Sequence, residues 1–181
     1  MAQNSDYISK FSIYRARKSG GGAAISLSPS LKQQALYLNF AGQVGEEKKF
    51  DWNETNINVK LGNTDIGDLL ATLLGRQQKS NLYHSFNGNV TKIYLEKSTG
   101  EYVGFNLRAF KNKQGEKEED GRKLSVFLSI GDGVLFAEAL RYGFQMVLGW
   151  ERFLETPTQQ PSRKSRAQQP EEHVEEADVM F

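Results

Sequence analysis

The chain has 181 residues, 38% of them hydrophobic and 25% charged, with a formal net charge of +1 and no cysteine. That length fits one domain with an added tail, and the missing cysteines exclude disulfides, Cys-based zinc sites and thiol nucleophiles. Two histidines, His84 and His173, leave little for a His-based metal site or a catalytic triad, and no apolar run approaches the roughly 20 residues that a bilayer helix needs.

The opening residues MAQNSDYISK have neither a secretory-signal nor a transit-peptide layout, so a cytoplasmic protein is expected. No paired-carboxylate spacing or cofactor motif stands out, and the expectation is a non-enzyme without cofactor or metal. Residues 155–181 carry three basic and six acidic side chains, net −3, which leaves +4 on residues 1–154. A basic body with an acidic end fits a polyanion-binding domain with a tail of opposite character.

Residues 1–7 are expected to be disordered, with a folded domain over 8–154. Four strands are predicted first: Phe11 to Arg15, Ala23 to Pro29, Ala35 to Phe40, and Phe50 through Leu61. The period then becomes helical, with Ile66, Leu69, Leu70, Leu73 and Leu74 at helix spacing, Thr64 as the expected N-cap and Gly75 as the stop. A second set of strands covers Val90 to Lys97, Tyr102 to Phe110 and Lys123 to Leu128, with a short one around Leu82 to His84. Ser129 and Asp132 are spaced as a capping box. The helix that follows, running to about Phe153, is apolar over more than one stripe, as if it packed on its own sheet and on another subunit. Phe144 and Leu148 are its candidate oligomer contacts. The layout is one strand-and-helix unit repeated, an α+β fold. Beyond Glu155, TPTQQPSRKSRAQQP cannot bury a core and is expected to be a disordered linker to an acidic end.

In the second set of strands one parity is apolar: Ile93 and Leu95, then Val103, Phe105 and Leu107, then Leu124, Val126 and Leu128. The other parity carries Lys92 and Tyr94, then Tyr102, Asn106, Arg108 and Phe110, then Lys123, Ser125 and Phe127. In the first set, Tyr14, Tyr37 and Asn39 oppose the apolar positions. Planar rings interleaved with cations suit a single-stranded nucleic acid, because rings stack on unpaired bases and cations track phosphates. The same pattern also fits aromatics that simply favour strands, or a face covered in an obligate oligomer. Lys18-Ser19-Gly20-Gly21-Gly22 lacks the Gly-Lys-Ser/Thr ending of a P-loop. With Arg15, Arg17 and Lys18 clustered there, it fits a hairpin lying against a phosphate backbone.

Five segments in register resemble the Whirly family, single-stranded DNA-binding proteins known from plant organelles. KSGGGAAISL from Lys18 is similar to their Lys-Gly-Lys-Ala-Ala-Leu motif, and GEEKKFDW from Gly45 to their Gly-Glu-Arg-Lys-Tyr-Asp-Trp. Thr64 to Leu70, Leu82-Tyr83-His84 and Leu148-Gly149-Trp150 match further family segments in order and spacing. The resemblance covers residues 8–152. It implies two four-stranded antiparallel β-sheets, each followed by an α-helix, in a pinwheel homotetramer that binds single-stranded DNA with little sequence preference between neighbouring blades. It adds Trp52 and Tyr83 to the candidate surface. This chain keeps Lys18 but has glycine at the motif's second lysine, which the family uses to assemble tetramers into larger particles. Without a transit peptide, a version from a bacterium or a phage-infected cell is expected, serving DNA replication, recombination or repair. An RNA-binding relative of the same fold, like the kinetoplastid guide-RNA annealing proteins, is the alternative. The C-terminal end resembles the tail of bacterial single-stranded DNA-binding proteins, in which acids and a terminal Phe dock on replication and repair partners. Asp178, Val179, Met180 and Phe181 stand in that place.

Overall fold

The chain builds one unit twice. The first copy runs β1 (Phe11–Arg15), β2 (Ala23–Ser30), β3 (Ala35–Gln43), β4 (Phe50–Asp51), β5 (Ile57–Leu61) and α1 (Asn63–Leu73). The second runs β6 (Lys79–Phe86), β7 (Asn89–Ser98), β8 (Gly104–Lys113), β9 (Arg122–Ser129) and α2 (Ile130–Leu148). The computed structural model describes residues 10–98, 100–117 and 120–149. No described helix is long and apolar enough to cross a membrane.

Both sheets are antiparallel. In the first the order is β1-β2-β3, and the fourth position is shared by β4 and β5, which pair with successive stretches of β3. The single strand expected over Phe50 to Leu61 is therefore interrupted. The cause is Asp51, whose carboxylate accepts the backbone N–H groups of Asn53, Glu54 and Thr55, each at 2.9 Å. Those bonds, that from Glu54 foremost, hold its pKa below the usual 3.8 and turn the chain as an Asx loop.

The second sheet is a meander, β6-β7-β8-β9. β6 is much longer than the short strand expected near Leu82. It is joined to β7 by Asn87-Gly88, both at positive φ (49° and 69°), the backbone that a two-residue hairpin of the right twist requires.

One parity of each sheet enters a shared core. Ile25, Leu38 and Phe40 from the first sheet and Ile93, Leu95, Leu107, Val126 and Leu128 from the second pack with Leu69 of α1 and Phe136 and Leu140 of α2. Val103, expected on this face, is exposed instead. The strand starts at Gly104, where a Cβ would stand 2.2 Å from the Leu128 carbonyl oxygen, so the chain can reach β9 there only without a side chain.

The first helix starts earlier than its expected Thr64 cap. Gly62 is the N-cap, and the Asp65 carboxylate accepts its N–H at 2.7 Å, the returning half of a capping box. Its end follows expectation: Gly75 at φ +72° donates to Thr72 O at 3.0 Å and Arg76 to Ala71 O at 2.8 Å, a Schellman closure. In α2 the Ser129–Asp132 box forms as read, with Asp132 N–H to Ser129 Oγ at 3.2 Å and Ser129 N–H to the Asp132 carboxylate at 2.8 Å. This helix runs to Leu148, with Gly149 left-handed at φ 72°; the rest of the stretch expected to reach Phe153 lies outside the described residues. Gly133 lets it sit on Phe105, whose ring would lie 2.5 Å from an added Cβ.

Candidate nucleic-acid interface

The outward face of the second sheet is laid out in rows by its strand register. Tyr83, Lys92, Phe110 and Lys123 form one row across β6 to β9. The next is Asn81, Tyr94, Arg108 and Ser125, and the third is Lys79, Glu96, Asn106 and Phe127. Alternation along each strand thus collects the predicted Tyr83, Lys92, Tyr94, Arg108, Lys123 and Phe127 on one surface.

These side chains brace one another. Phe110 meets Tyr94 edge-on, ring centroids 5.5 Å apart, and Lys123 Nζ stands 5.1 Å from the Phe110 centroid. Tyr102, in the connection before β8, lies 6.5 Å from the Phe127 ring and is 69% exposed. Tyr83 is 63% exposed. Edge-on packing holds the rings upright; Tyr83 and Tyr102 keep open ring surface, whereas Phe110 is buried and braces its neighbours. Arg108 is less available than its position suggests, because its guanidinium is bonded to Glu96 at 2.7 Å as well as lying 6.0 Å from the Tyr94 ring.

The first sheet offers a smaller platform. By register Tyr14 is followed by Ala24 and Ala41, both fully buried although they lie on the outward parity. Tyr14 sits 5.4 Å from Phe50 and 6.3 Å from Trp52, the latter edge-on, so small residues between the rings let them close together. Asn56 Nδ2 bonds the Trp52 carbonyl at 2.7 Å, and Arg122 Nη1 bonds the Glu54 carbonyl at 2.6 Å. The loop that carries Trp52 is thus held from the second sheet. Tyr37 and Asn39 lie further along the same face, half-buried: Tyr37 donates to Gln33, and Asn39 Nδ2 to the Ser26 carbonyl at 3.4 Å.

Arg15 differs from its sequence assignment. Its Nε donates to the Phe127 carbonyl at 3.0 Å and its Nη2 pairs with Asp132. It shares the parity of Phe11 and Ile13, which turns it towards the helices rather than outward. Arg17 and Lys18 are exposed in the β1–β2 loop, as read. That loop is organised by Gln43, which sequence reasoning missed. Its Oε1 accepts the N–H groups of Arg17 (2.7 Å) and Gly22 (3.0 Å), and its Nε2 donates to the carbonyls of Arg17 (2.8 Å) and Glu47 (2.9 Å). A Cβ on Gly22 would lie 2.2 Å from the Arg15 carbonyl oxygen, which is why a glycine belongs there. No local pattern marks a lone Gln as such a clamp.

On α2, Phe144 is partly buried against the protein's own core, while Leu148, the other candidate oligomer contact, is exposed. The exposed apolar side chains of this helix are Ile130, Val134, Leu135, Tyr142 and Leu148. Asp178, Val179, Met180 and Phe181 lie outside the described residues. Among the described residues no group of three or more His, Asp or Glu is placed to hold a metal ion.

No protein-family model matches the sequence, and no curated protein is similar to it in sequence. Solved structures do share its fold. The crystal structure of WHY1 from Arabidopsis thaliana superposes with a TM-score of 0.63 at 14% identity, covering 83% of this chain and 90% of that one. The structure of the plant transcriptional regulator PBF-2 gives 0.61 at 17% identity, over 81% and 85%. A guide-RNA-binding protein complex bound to a gRNA gives 0.63 at 14% identity, over 84% and 100%. The chain has the Whirly-like fold that its motifs resemble.

Proposed function

We propose that the protein binds single-stranded DNA with little sequence preference, along the outward faces of both sheets, and protects or organises single strands in replication, recombination or repair. The observation that carries this is the second sheet's outer face: exposed Tyr83 and Tyr102, braced Tyr94, Phe110 and Phe127, and Lys123 beside them. Stacking on such rings tolerates any base, because every base has a π-face. Arg17 and Lys18 extend the surface with cations on a loop held in shape by Gln43.

The unit we propose is a homotetramer. Val134, Leu135 and Tyr142 leave an apolar strip on α2 turned away from its own core, the kind of surface that marks an association site. Residues 155–181 supply an acidic segment through which replication or repair proteins are recruited.

RNA is the second reading, favoured by the fold neighbour that was solved bound to a gRNA. Quenching of Trp fluorescence by oligo-dT and by oligo-rU separates the readings. Trp52 stands beside Tyr14 on the platform, so stoichiometric quenching by oligo-dT with weaker response to oligo-rU is expected. Tighter binding of oligo-rU would reverse the assignment, and silence with both would leave an aromatic face that serves only assembly.

A further inference from the structure

We propose that a cleft between the two sheets, bounded on one side by the Tyr37 end of the first sheet's outward face, takes one nucleotide turned out of the bound strand, base and phosphate together. The proposal rests on the strand-binding reading above. The cleft has a volume of about 560 Å³, within the range of small-molecule sites. Tyr37 and Lys60 line it from the first sheet, and Phe86, Asn89, Thr91 and Lys111 from the second.

Its chemistry is that of a nucleotide. Tyr37 and Phe86 bring one aromatic ring from each sheet; Asn89, whose Nδ2 donates to the Asn87 carbonyl at 3.1 Å, brings its amide oxygen, and Thr91 its hydroxyl, as groups that read a base edge. Lys60 and Lys111 bring two cations, and neither has an ion-pair partner among the described residues. Among the described residues no acidic side chain lines the cleft, so none of them repels a phosphate. His84 also lines it; its Nε2 is buried 3.3 Å from the Asp65 carboxylate and makes no hydrogen bond among the described residues, so the two lysines are the fixed cations of the cleft. Phe86 is 76% exposed, an unusual placement for a large apolar ring, and it has no aromatic partner among the described residues.

The path from the stacking face is short. β6 lies at the edge of its sheet. Tyr83 points outward from it, while Phe86, three residues on, has the opposite parity. Three residues of extended strand span about 10 Å. A strand that stacks on Tyr83 and crosses the β6 edge therefore reaches the cleft within one or two nucleotides.

Photocrosslinking of the full chain tests this. 5-Iodo-dUMP is irradiated with the protein and the modified peptides are mapped; in parallel, a dT30 with one 5-iodo-dU is treated the same way. The free nucleotide should modify Tyr37 or Phe86, and dTMP should compete at least tenfold better than thymidine or inorganic phosphate, as a combined base and phosphate site requires. Joint substitution of Lys60→Ala and Lys111→Ala should weaken that competition about tenfold or more, and dT30 should mark Phe86 as well as Tyr83 or Tyr102. Inorganic phosphate competing as well as dTMP would reduce the cleft to an anion site and overturn the proposal. So would crosslinks confined to Tyr83 and Tyr102, or modification of the cleft by the free nucleotide but never by dT30. Failure of dT30 to bind at all, with nucleotide crosslinks in the cleft intact, would strike the strand-binding reading separately.

Discussion

Arg15 and Asp132, 117 residues apart in the chain, form an ion pair that ties the first strand to the N-terminus of the last helix. The Asp132 carboxylate also accepts from the Ser129 hydroxyl at 2.6 Å and the Ser129 N–H at 2.8 Å. Partial burial pushes its pKa up, but the Ser129 bonds and the Arg15 guanidinium outweigh this and hold it below the usual 3.8. The pair therefore links the two sheets, cap and strand, through one carboxylate.

That link gives the first prediction. A carboxyl whose folded pKa is lowered stabilises the fold above its unfolded value and loses that contribution as pH falls through the folded one. Asp132→Asn should lower stability by about 1 kcal/mol at pH 7, the worth of a charge-assisted bond reduced by the solvent exposure of the pair. The deficit relative to the unmodified protein should shrink as pH drops below the usual 3.8. Urea titrations at pH 7, 4 and 2.5 measure it. Arg15→Ala should cost stability in the same way while leaving oligo-dT affinity within about twofold, the opposite of what its place in the sequence suggests.

Affinity should follow the outer face. Tyr102→Ala and Tyr83→Ala are each expected to weaken oligo-dT binding by about 1–3 kcal/mol, the worth of one stacked base. Arg108→Ala should cost less than Lys123→Ala, because Glu96 already neutralises Arg108. Equal losses for the two would mean that the Glu96 bond opens when the strand binds.

Salt should weaken binding in proportion to the phosphates neutralised. Each contributes about −0.7 to the slope of log K against log salt on a single strand. Titrations of oligo-dT at several salt concentrations, with duplex DNA alongside, check this. A slope near zero, or duplex bound as tightly as single strand, contradicts the proposed interface.

The exposed strip of α2 should hold the oligomer. Leu135, 60% exposed, is expected to be buried against a neighbouring subunit, so Leu135→Glu should yield a monomer by light scattering, through the cost of burying an unpaired charge. Phe144→Glu should instead unfold the protomer, because Phe144 packs on the protomer's own core. A soluble tetramer from Leu135→Glu would move the assembly surface elsewhere.

The acidic end is expected to compete with DNA for the basic body. Residues 171–181 carry five acids and no lysine or arginine. Their deletion should tighten oligo-dT binding most at low salt, where screening is weakest, and abolish recruitment of protein partners. Unchanged affinity at low salt would leave that segment without a role in DNA binding.

The local patterns were open to reading from the residues alone. Alternation along Tyr94 to Lys97 and Tyr37 to Phe40 specified strands and which side chains share a face, because a strand's period is 2 whatever it packs against. The Ser129–Asp132 cap and the Gly75 stop are likewise local, each set by bonds within a few residues. What only the tertiary structure decided is which polar groups are already engaged. Arg15 meets Phe127 and Asp132, Gln43 gathers two loops, and Arg122 braces the Trp52 loop, all across separations that no spacing rule reports. Phe144 turned inward for a similar reason: an all-round apolar helix does not say which stripe its own sheets will cover. The cleft at Tyr37 and Phe86 exists only where the two sheets come together.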